Sequence, residues 1–450
     1  MAGVERKPRI LKGFRDFLPG QMILRQQIIG IFREIYERHG FEPIDTPALE
    51  YLEILTGKAG ENEKLMYHFT DHGDRAVGLR YDLTVPLARY VAMHQNDLVL
   101  PFKRYHIAPV WRAENPQRGR FREFWQCDAD IVGTPSMLAD AEIVAIMAEA
   151  LTAIDLPNFT IRISHRRLLA CLGLAAGVPE TQASILYRAV DKLDKIGVAG
   201  VTAEMTAAGI TEAAAARLLN LVTATGSTAT VFAMLRRELA SVADAEPAIA
   251  ELEELFAYLP DFGVAADRYQ LDLTLARGLD YYTGPVYEAT VTEPKVGSVA
   301  GAGRYDGLVG TFLGRALPAT GMSLGLERIV EVVTEHRLMP TPGTVAQILV
   351  IPFADTVSDA AKIASTLRAA DLRVDLSLQP NRGLGDQLKR AGRQGIPVAV
   401  IVGAAELANG TVGVKQLKSG EQTWEPVADL ATTLRTRLSE TLVATAGRDA

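Results

Sequence analysis

The chain lacks the sequence features that mark several large classes of protein. Its 450 residues include only two cysteines, Cys127 and Cys171, without paired spacing for zinc. This argues against a disulfide scaffold and against a cysteine-based metal site. We find no HExxH or EF-hand pattern, no apolar run long enough to cross a bilayer and no signal peptide at the N-terminus. The sequence therefore predicts a cytoplasmic protein with no membrane partner.

A large excess of one charge is also missing. The chain carries 47 Lys and Arg against 54 Asp and Glu, a formal net charge of −7. This balance does not indicate a nucleic-acid-binding protein, but a local basic surface can serve that purpose on an acidic chain. With 48% hydrophobic and 22% charged residues over this length, the sequence predicts a globular protein of two or three domains.

Composition changes along the chain indicate its domain organisation. Residues 21–39 have helical spacing and end at Gly40. Alanine and leucine become dense further on and predict a helical insertion, after which strands resume at Tyr269. "HRLMPTPGT" predicts a linker, and the runs "QILVIPF", "LRVDLSL" and "IPVAVIVG" beyond it predict a small, mostly parallel α/β domain. The predicted boundaries are 1–174 and 266–336 for two parts of a core, 175–265 for the insertion, 337–344 for the linker and 345–450 for the α/β domain.

Polar side chains gather on one face of a first predicted strand, "GLRYDLTVP", residues 78–86. Arg80, Asp82 and Thr84 share one face of that strand because successive side chains point to opposite sides. Pro86 then opens a helix, where its missing N–H is tolerated.

A second polar face lies on a predicted long hairpin, "RYHIAPVWR" and "FWQCDADIVG" joined by the loop "AENPQRGR". Because side chains alternate between the two faces of a strand, three polar residues share one face on each of these strands. These residues are Arg104, His106 and Arg112, and Gln126, Asp128 and Asp130. Such a face fits either a half-solvated antiparallel sheet or a lined cavity, and the residues alone leave both interpretations open.

Three further segments carry unusual residue combinations. "LARGLDYYTG", residues 275–284, places Arg277, Asp280 and two tyrosines between glycines, which predicts a turn that binds a charged group and a flat ring. "TGMSLGLERIVEVVTEH" becomes an amphipathic helix with Arg328 near its start, and taken alone Arg328 is a surface arginine. The glycines of "GAGRYDG" have the wrong spacing for a dinucleotide-binding loop.

Together these segments resemble the class II aminoacyl-tRNA synthetases, through the "R…E" hairpin, the "GLER" strand and helix, and the lack of a P-loop. "RGLDYYTG" and "GRYDGLVG" are similar to the two signature segments of the histidyl-tRNA synthetase family. The resemblance begins at "KGFRDFLPG", includes "ERHGFEPIDTPALE", which is similar to the family's dimer-forming segment, and extends to the α/β domain. It implies an α+β catalytic domain with an antiparallel sheet, a helical insertion and a C-terminal α/β anticodon-binding domain.

The resemblance implies an activity and its substrates. The enzyme would make histidyl-adenylate from L-histidine and ATP with Mg²⁺, then transfer the histidyl group to the 3′ end of tRNA-His, acting as a homodimer. The implied ATP-binding residues are Arg112 at the α-phosphate, Glu114 and Phe124 at the adenine, and Arg328 at the γ-phosphate. Gln117 and Arg120 would approach the tRNA. The resemblance assigns no magnesium ligands.

The resemblance also implies a set of residues around histidine. The family's own catalytic arginine corresponds to Arg277, which would contact the histidine carboxylate and the α-phosphate and act together with Arg112. The residues implied at the α-amino group are Asp82, Thr84 and Gln126, and those around the imidazole are Asp130, Tyr281, Tyr282 and Tyr305.

The sequence departs from the family pattern at two positions, and two other assignments remain to be considered. Ala302 stands where the family usually has glycine, and Asp130 is shorter than the glutamate of many bacterial members. One alternative is a catalytically silent relative that regulates histidine biosynthesis, a class without the anticodon domain. The other is a class II enzyme for a different amino acid, such as threonine or proline. The presence of Arg112, Arg277 and Arg328 disfavours the first, and the two signature segments disfavour the second.

Overall fold

The structure is a computed structural model that describes residues 7–56, 60–276, 281–294 and 296–446. Arg277 and Asp280 lie outside the described residues. The chain divides into two compact units. The first contains the N-terminal segment that ends at Asp16 and the long stretch Gln27–Met339, and the second combines Phe17–Gln26 with the chain from Pro340 onward. Within the described part, no helix has both the length and the apolar character needed to cross a bilayer.

Strands and helices alternate irregularly in the first unit and regularly in the second. In chain order the described strands are β1 (Glu42–Pro43), β2 (Leu49–Tyr51), β3 (His68–Thr70), β4 (Ala76–Leu79), β5 (Phe102–Trp111), β6 (Glu123–Val132), β7 (Phe159–His165), β8 (Tyr269–Leu271), β9 (Pro285–Val291), β10 (Ser298–Arg304), β11 (Ala319–Gly325), β12 (Ile348–Pro352), β13 (Val374–Leu376), β14 (Val398–Val402), β15 (Thr411–Gln416) and β16 (Gln422–Pro426).

The described α-helices are α1 (Pro19–Arg38), α2 (Leu52–Leu55), α3 (Thr84–Met93), α4 (Met137–Ala153), α5 (Arg166–Ala175), α6 (Ala183–Val190), α7 (Leu193–Ala207), α8 (Glu212–Val222), α9 (Thr228–Glu238), α10 (Ala245–Tyr258), α11 (Gly310–Leu313), α12 (Leu326–His336), α13 (Val357–Ala369), α14 (Leu384–Gln394), α15 (Ala404–Ala408) and α16 (Leu430–Ala446). The helical character predicted for the insertion is confirmed by α6–α10, and its boundaries stay a prediction.

An eight-stranded sheet, counted over the described residues, organises the first unit. Its strand order is β1-β5-β6-β11-β10-β9-β7-β8, and neighbours are antiparallel except at the two edges, β1–β5 and β7–β8. The predicted hairpin is confirmed by β5 and β6, which place Arg104 opposite Asp130. On its other side β6 pairs with β11, with Asp130 opposite Gly321 and Asp128 opposite Ser323. The central strands therefore hold the polar face that the sequence predicted.

The strand predicted over residues 78–86 is wrong. β4 ends at Leu79, and α3 already begins at Thr84, so Asp82 and Thr84 do not share a strand face. The Oδ1 atom of Asp82 accepts the backbone N–H of Val85 at 3.0 Å, which satisfies one of the free donors at the start of a helix. Pro86, without an N–H, fits the same first turn. Side-chain hydrogen bonding at the helix start thus replaced the alternation expected of a strand.

The second unit contains a five-stranded sheet of order β13-β12-β14-β15-β16. The prediction of a mostly parallel α/β domain is correct for β12, β13 and β14 but wrong for β15 and β16, which are antiparallel. A short turn with Gly420 at φ +79° joins β15 to β16. So short a connection permits only a hairpin, because parallel neighbours need a long crossover. Apolar residues such as Ile348, Val400 and Leu434 form the core of this unit.

A buried ion pair connects α4 to the end of β10. Arg304 is 2% exposed and Asp140 is fully buried. The guanidinium contacts the Asp140 carboxylate and donates to two backbone carbonyls in the loop before α4, both at 3.1 Å. The same carboxylate accepts the hydroxyls of Tyr287 at 2.8 Å and Thr320 at 2.9 Å. The buried charges of Arg304 and Asp140 are therefore compensated by each other and by hydrogen bonds within the first unit.

We expect Asp140→Ala to destabilise the first unit by about 3 kcal/mol, because it removes the buried carboxylate of the Arg304 ion pair. Arg304 then keeps only Asp306, which is 38% exposed, as a carboxylate partner at 3.2 Å. The measurement is the shift of the unfolding midpoint in urea. Arg237→Ala, which breaks an ion pair in which the arginine is 75% exposed, serves as the control and should leave the midpoint nearly unchanged. Equal losses in the two variants would contradict this view of the buried pair.

Candidate active site

Two adjoining cavities lie against the central strands of the eight-stranded sheet. The first, of about 210 Å³, lies between the β5–β6 loop, β10 and the start of α12. The second, of about 230 Å³, lies between the start of α3, β6, β10, β11 and the segment after residue 280. Four residues line both cavities, Arg112, Gln126, Gly301 and Ser323. A molecule at the junction would therefore contact the contents of both.

The predicted site residues separate between the two cavities according to their implied substrates. The first cavity contains all four residues implied for ATP, Arg112, Glu114, Phe124 and Arg328. The second contains most of those implied for histidine, namely Thr84, Gln126, Asp130, Tyr281, Tyr282 and Tyr305. Asp82 does not line either cavity, and Arg277 lies outside the described residues. The cavity interpretation of the polar strand faces is thereby favoured over a solvated sheet.

Arg112 occupies the junction of the cavities. Its Nε donates to the backbone carbonyl of Tyr81 at 3.1 Å. The guanidinium lies over the Tyr81 ring at 4.1 Å and 5.0 Å from the centroid of the Phe124 ring. Aromatic faces attract a guanidinium electrostatically, so these contacts hold a permanent positive charge in one place with further N–H donors left for a ligand.

The β5–β6 loop closes above the first cavity. Gln117 and Arg120 exchange two backbone hydrogen bonds of 3.0 and 2.9 Å, and Gly119 between them has φ +66°. The Arg120 side chain forms an ion pair with Glu114 at 3.0 Å and is 45% exposed. Gln117 is exposed at the tip of the loop. The roles predicted for Gln117 and Arg120 at a tRNA stay predictions.

The start of α12 forms the opposite end of the first cavity. Arg328 Nη1 donates to the backbone carbonyl of Ser298 at 2.5 Å. Its neighbour Glu327 is buried, forms an ion pair with Arg15 at 2.5 Å and accepts the backbone N–H of Trp125 at 3.2 Å. The sequence prediction missed Glu327 and Arg15, although both lie in segments that carried the resemblance, "GLER" and "KGFRDFLPG".

Three polar residues of β6 form the wall of the second cavity. Gln126, Asp128 and Asp130 are 8%, 2% and 2% exposed. Gln126 Nε2 donates to Ser323 Oγ at 2.8 Å. Asp130 pairs with Arg104 Nη2 at 2.7 Å and accepts the hydroxyl of Tyr305.

The β6 acids differ from exposed carboxyls in their proton affinity. Burial raises the pKa of Asp128 to about 8, although the charge of Arg104 opposes this rise. Burial also raises the pKa of Asp130, and Arg104 and Tyr305 again act in the opposite direction. Such shifts in a cavity are typical of functional sites.

Three tyrosines enclose the far end of the second cavity. The ring centroids of Tyr281 and Tyr282 lie 5.0 Å apart, and those of Tyr281 and Tyr305 lie 5.8 Å apart, each in an edge-to-face arrangement. Burial raises the pKa of all three phenols. Their hydroxyls therefore keep their protons at neutral pH and act as hydrogen-bond donors. An aromatic surface with hydroxyl donors and one carboxylate suits a planar ring that carries nitrogen atoms.

Close backbone approach explains two glycines of this wall. A Cβ at Gly321 would lie 1.9 Å from Asp130 Oδ1, and one at Gly303 would lie 2.8 Å from the Tyr282 ring. Both glycines are therefore required by the side chains that face them. Ala302, the residue that departs from the family pattern, is buried and lines the second cavity.

The sequence prediction also missed Asp128, Arg104 and Ser323 as site residues. Asp128 could have been found, because it shares the strand face of Gln126 and Asp130. Arg104 has the same parity on β5, but only the register of the hairpin places it opposite Asp130. Ser323 carried no local signal and comes into contact with Gln126 only through the pairing of β11 with β6.

Comparisons with known proteins identify similar sequences over nearly the whole chain. Residues 13–329 match the family model described as histidyl-tRNA synthetase, and residues 347–437 match that of an anticodon binding domain. A histidine–tRNA ligase of Aeropyrum pernix is 44% identical over 434 residues, which is 94% of this chain and 97% of that protein.

Comparison with solved structures also identifies proteins described as histidyl-tRNA synthetases. The crystal structure of histidyl-tRNA synthetase from Nostoc sp. PCC 7120 is 36% identical, has a TM-score of 0.87 and is matched over 96% of this chain and 100% of its own. A Bacillus halodurans protein, described as an ATP phosphoribosyltransferase regulatory subunit or histidyl-tRNA synthetase, is 25% identical with a TM-score of 0.73 over 85% of this chain and 97% of its own.

We expect the stability difference between Asp128→Asn and the parent to depend on pH. Asp128 has a folded pKa of about 8 and an unfolded pKa of about 3.9, so the folded chain holds a proton that the unfolded chain releases. Burial of Asp128 therefore lowers stability progressively as pH rises between about 4 and 8. The variant should gain relative stability over that window and little beyond it. Unfolding midpoints at several pH values check this, and a constant difference would contradict it.

Proposed function

Because this chain belongs to the histidyl-tRNA synthetase family, we propose that its two joined cavities activate histidine with ATP and deliver it to tRNA. The chain is thus a ligase that forms aminoacyl-tRNA, and its catalytic unit has the class II fold with an anticodon-binding domain in the second unit. The single observation that supports the assignment of one substrate to each cavity is the position of Arg112, which lines both cavities.

The proposed first step places ATP in the first cavity and histidine in the second. A carboxylate oxygen of histidine attacks the α-phosphorus, a new P–O bond forms, and the bond to the β-phosphate breaks with release of diphosphate. The reaction requires no protein nucleophile, so catalysis consists of positioning and of stabilising charge on the reacting phosphate. Arg112 at the junction supplies such charge. Arg277, which lies outside the described residues, is proposed as the second catalytic arginine.

The proposed ATP contacts follow from the lining of the first cavity. Phe124 stacks on the adenine with Glu114 near the same end, and Arg328 binds the γ-phosphate. Bound together with the nucleotide, Mg²⁺ would neutralise part of the triphosphate charge. The described residues contain no group of three or more His, Cys, Asp or Glu side chains arranged for a metal ion. We therefore expect phosphate oxygens and water to supply most of its ligands.

The proposed histidine contacts follow from the second cavity. Thr84 and Gln126 bind the α-amino group of histidine. Asp82, at the start of α3, belongs to the same group of residues. The imidazole lies among Asp130, Tyr281, Tyr282 and Tyr305, the residues that the family resemblance implies around the ring. A site that hydrogen-bonds a substrate ring rejects analogues without those partners by roughly 10⁴-fold, because its buried polar groups are then left unpaired.

In the second step we propose that the terminal ribose hydroxyl of tRNA-His attacks the carbonyl carbon of histidyl-adenylate. An ester bond forms, the bond to the adenylate phosphate breaks, and AMP leaves. Gln117 and Arg120 stand in an exposed loop at the first cavity, where the tRNA end would arrive. The second unit, which matches an anticodon binding domain, would contact the opposite end of the tRNA.

The regulatory alternative is weaker on two grounds. The silent relatives considered above lack an anticodon domain, and this chain carries one. Arg112 and Arg328 also stand together in the first cavity. The likeness to the Bacillus halodurans protein is compatible with either activity, because its description names both.

We propose that the enzyme acts as a homodimer through a face at β2 and the end of α3. Leu49, Tyr51 and Met93 are 40%, 50% and 68% exposed and line a shallow groove. Leu49 lies in "ERHGFEPIDTPALE", the segment similar to the family's dimer-forming segment. Exposed apolar residues gathered in one patch are typical of a protein–protein interface.

A cytoplasmic location is part of this proposal. Cys127 and Cys171 are both free and buried, as expected of a protein that folds in a reducing compartment.

ATP–diphosphate exchange by the purified protein tests the function. We expect exchange that depends on histidine and on no other amino acid, and we expect Arg112→Gln to slow it by about 100- to 1000-fold, because one charge contact to the reacting phosphate is lost. Arg118→Gln removes an exposed arginine of the same loop, paired with Glu335, and should leave exchange unchanged. Exchange driven by another amino acid, or none with histidine, would overturn the assignment.

Light scattering during size-exclusion chromatography tests the dimer. We expect the parent to have twice the mass of one chain and the double variant Leu49→Glu, Met93→Glu to have the mass of one, because two buried carboxylates at an apolar interface cost several kcal/mol. Val99→Glu changes an apolar residue that is 83% exposed and outside the groove, and it should remain dimeric. A dimeric double variant would exclude this face.

A further inference from the structure

Two acids that line the second cavity, Asp128 and Glu288, have no role in the assignments above. Glu288 already lies 3.9 Å from an arginine, Arg162. Asp128 lies on β6 between Gln126 and Asp130 and lines the cavity. We infer that Asp128 binds the α-ammonium group of histidine and determines specificity for a free amino acid over analogues without that group. This inference rests on the proposed function, since it takes histidine as the occupant.

The orientation of the substrate places its ammonium group near Asp128. The histidine carboxylate must reach the first cavity at Arg112, so the α-carbon lies near the junction that Gln126 also lines. Asp128 is the next residue on the same face, about 6.6–7 Å farther along the strand. The ammonium group is bonded to the α-carbon, whereas the ring extends toward Asp130 and Tyr305 at the far end.

Two acceptor atoms at this level lack hydrogen-bond partners. Gln126 Oε1 and Asp128 Oδ1 are both buried without one among the described residues. Buried acceptors are costly when unpaired and usually indicate a missing partner. An ammonium group carries three N–H donors, so one group can satisfy both atoms. A single ring N–H cannot do so.

Neighbouring side chains fix the Asp128 carboxylate in this orientation. Gln126 Nε2 donates to Ser323 Oγ at 2.8 Å, which leaves the hydroxyl proton of Ser323 for the hydrogen bond that it makes with Asp128. Ser323 stands directly opposite Asp128 in the β6–β11 register. The nearby Asp130 differs from Asp128 because Arg104 forms an ion pair with its Oδ2 atom and Tyr305 donates to its Oδ1 atom. Among the described residues Asp130 Oδ2 also makes no hydrogen bond, but it already has a cationic partner.

The charge around Asp128 favours a cation as its ligand. The nearest charged groups that act on it are Arg104 on β5, Asp130 on β6 and Asp82 before α3. The other charged or titratable groups around it are Arg80, the phenols of Tyr36 and Tyr282, His106 opposite it on β5, and Arg112 in the same cavity. Arg104 is ion-paired with Asp130, and within the described residues no arginine or lysine forms an ion pair with Asp128. A bound ammonium group would give Asp128 the ion-pair partner that it lacks among these residues.

Binding of two histidine analogues to the protein tests the inference. L-histidinol has the ammonium group and the ring, and 3-(imidazol-4-yl)propan-1-ol has the ring without the ammonium group. We expect calorimetry to show that the parent prefers histidinol and that Asp128→Asn lowers this preference by roughly 10- to 100-fold, the range for a hydrogen bond between charged groups. The deaminated analogue should bind the parent and Asp128→Asn similarly.

Asp130→Asn is the matched control, with the same chemical change two residues along the same strand. It should weaken both analogues by a similar factor and so preserve the preference. An unchanged preference in Asp128→Asn would overturn the inference, as would an equal loss for both analogues. Failure of the proposed function looks different, because the parent itself would then bind no histidinol and show no histidine-dependent exchange.

The number of protons released on histidinol binding provides a second measurement. It remains valid if Asp128→Asn is partly destabilised. Asp128 is largely protonated in the free enzyme at neutral pH, since burial raises its pKa, and a bound ammonium group would ionise it. The parent should therefore release more protons per histidinol bound than Asp128→Asn does, measured in buffers of different ionisation enthalpy. Equal release from the two proteins would contradict an Asp128–ammonium contact.

Discussion

The second cavity, which we propose binds histidine, depends on one buried cation, Arg104. Its side chain is completely buried, pairs with Asp130 at 2.7 Å, and opposes the rise in pKa that burial imposes on Asp82, Asp128 and Asp130. Without Arg104 the three neighbouring carboxyls would repel one another more strongly, and their pKa values would rise further. Arg104 therefore permits an acidic pocket inside a stable sheet while leaving capacity for a second cation.

The register of the paired strands fixes the order of the polar side chains along the cavity. Gln126, Asp128 and Asp130 follow one another at two-residue intervals on β6, and the pairing of β6 with β5 and β11 gives each a fixed neighbour. The second cavity thus extends from its junction with the first cavity to an end enclosed by aromatic side chains. Positioning of this kind on rigid strands supplies most of the catalysis in a reaction that needs no protein nucleophile.

Sequence reasoning recovered the elements with strong local patterns and failed where long-range contacts decide. The β5–β6 hairpin followed from alternation around a polar loop, and the division of site residues between cavities followed from the family resemblance. The strand predicted over residues 78–86 was wrong because Asp82 accepts a backbone N–H in the first turn of α3. The importance of Arg104 and Ser323 could not be predicted, since each acquires its partner through strand pairing between distant segments.

Gly321 has a further consequence for the evolution of substrate choice. The space that a Cβ would fill there is occupied by a carboxylate oxygen of Asp130, so this side of the pocket is already bare main chain. No replacement of one amino acid at that position can deepen it, because nothing smaller than hydrogen remains to be removed. Acceptance of a bulkier side group would have to come from a smaller residue elsewhere in the lining, such as at Ala302 or Asp130, or from a shift of β11.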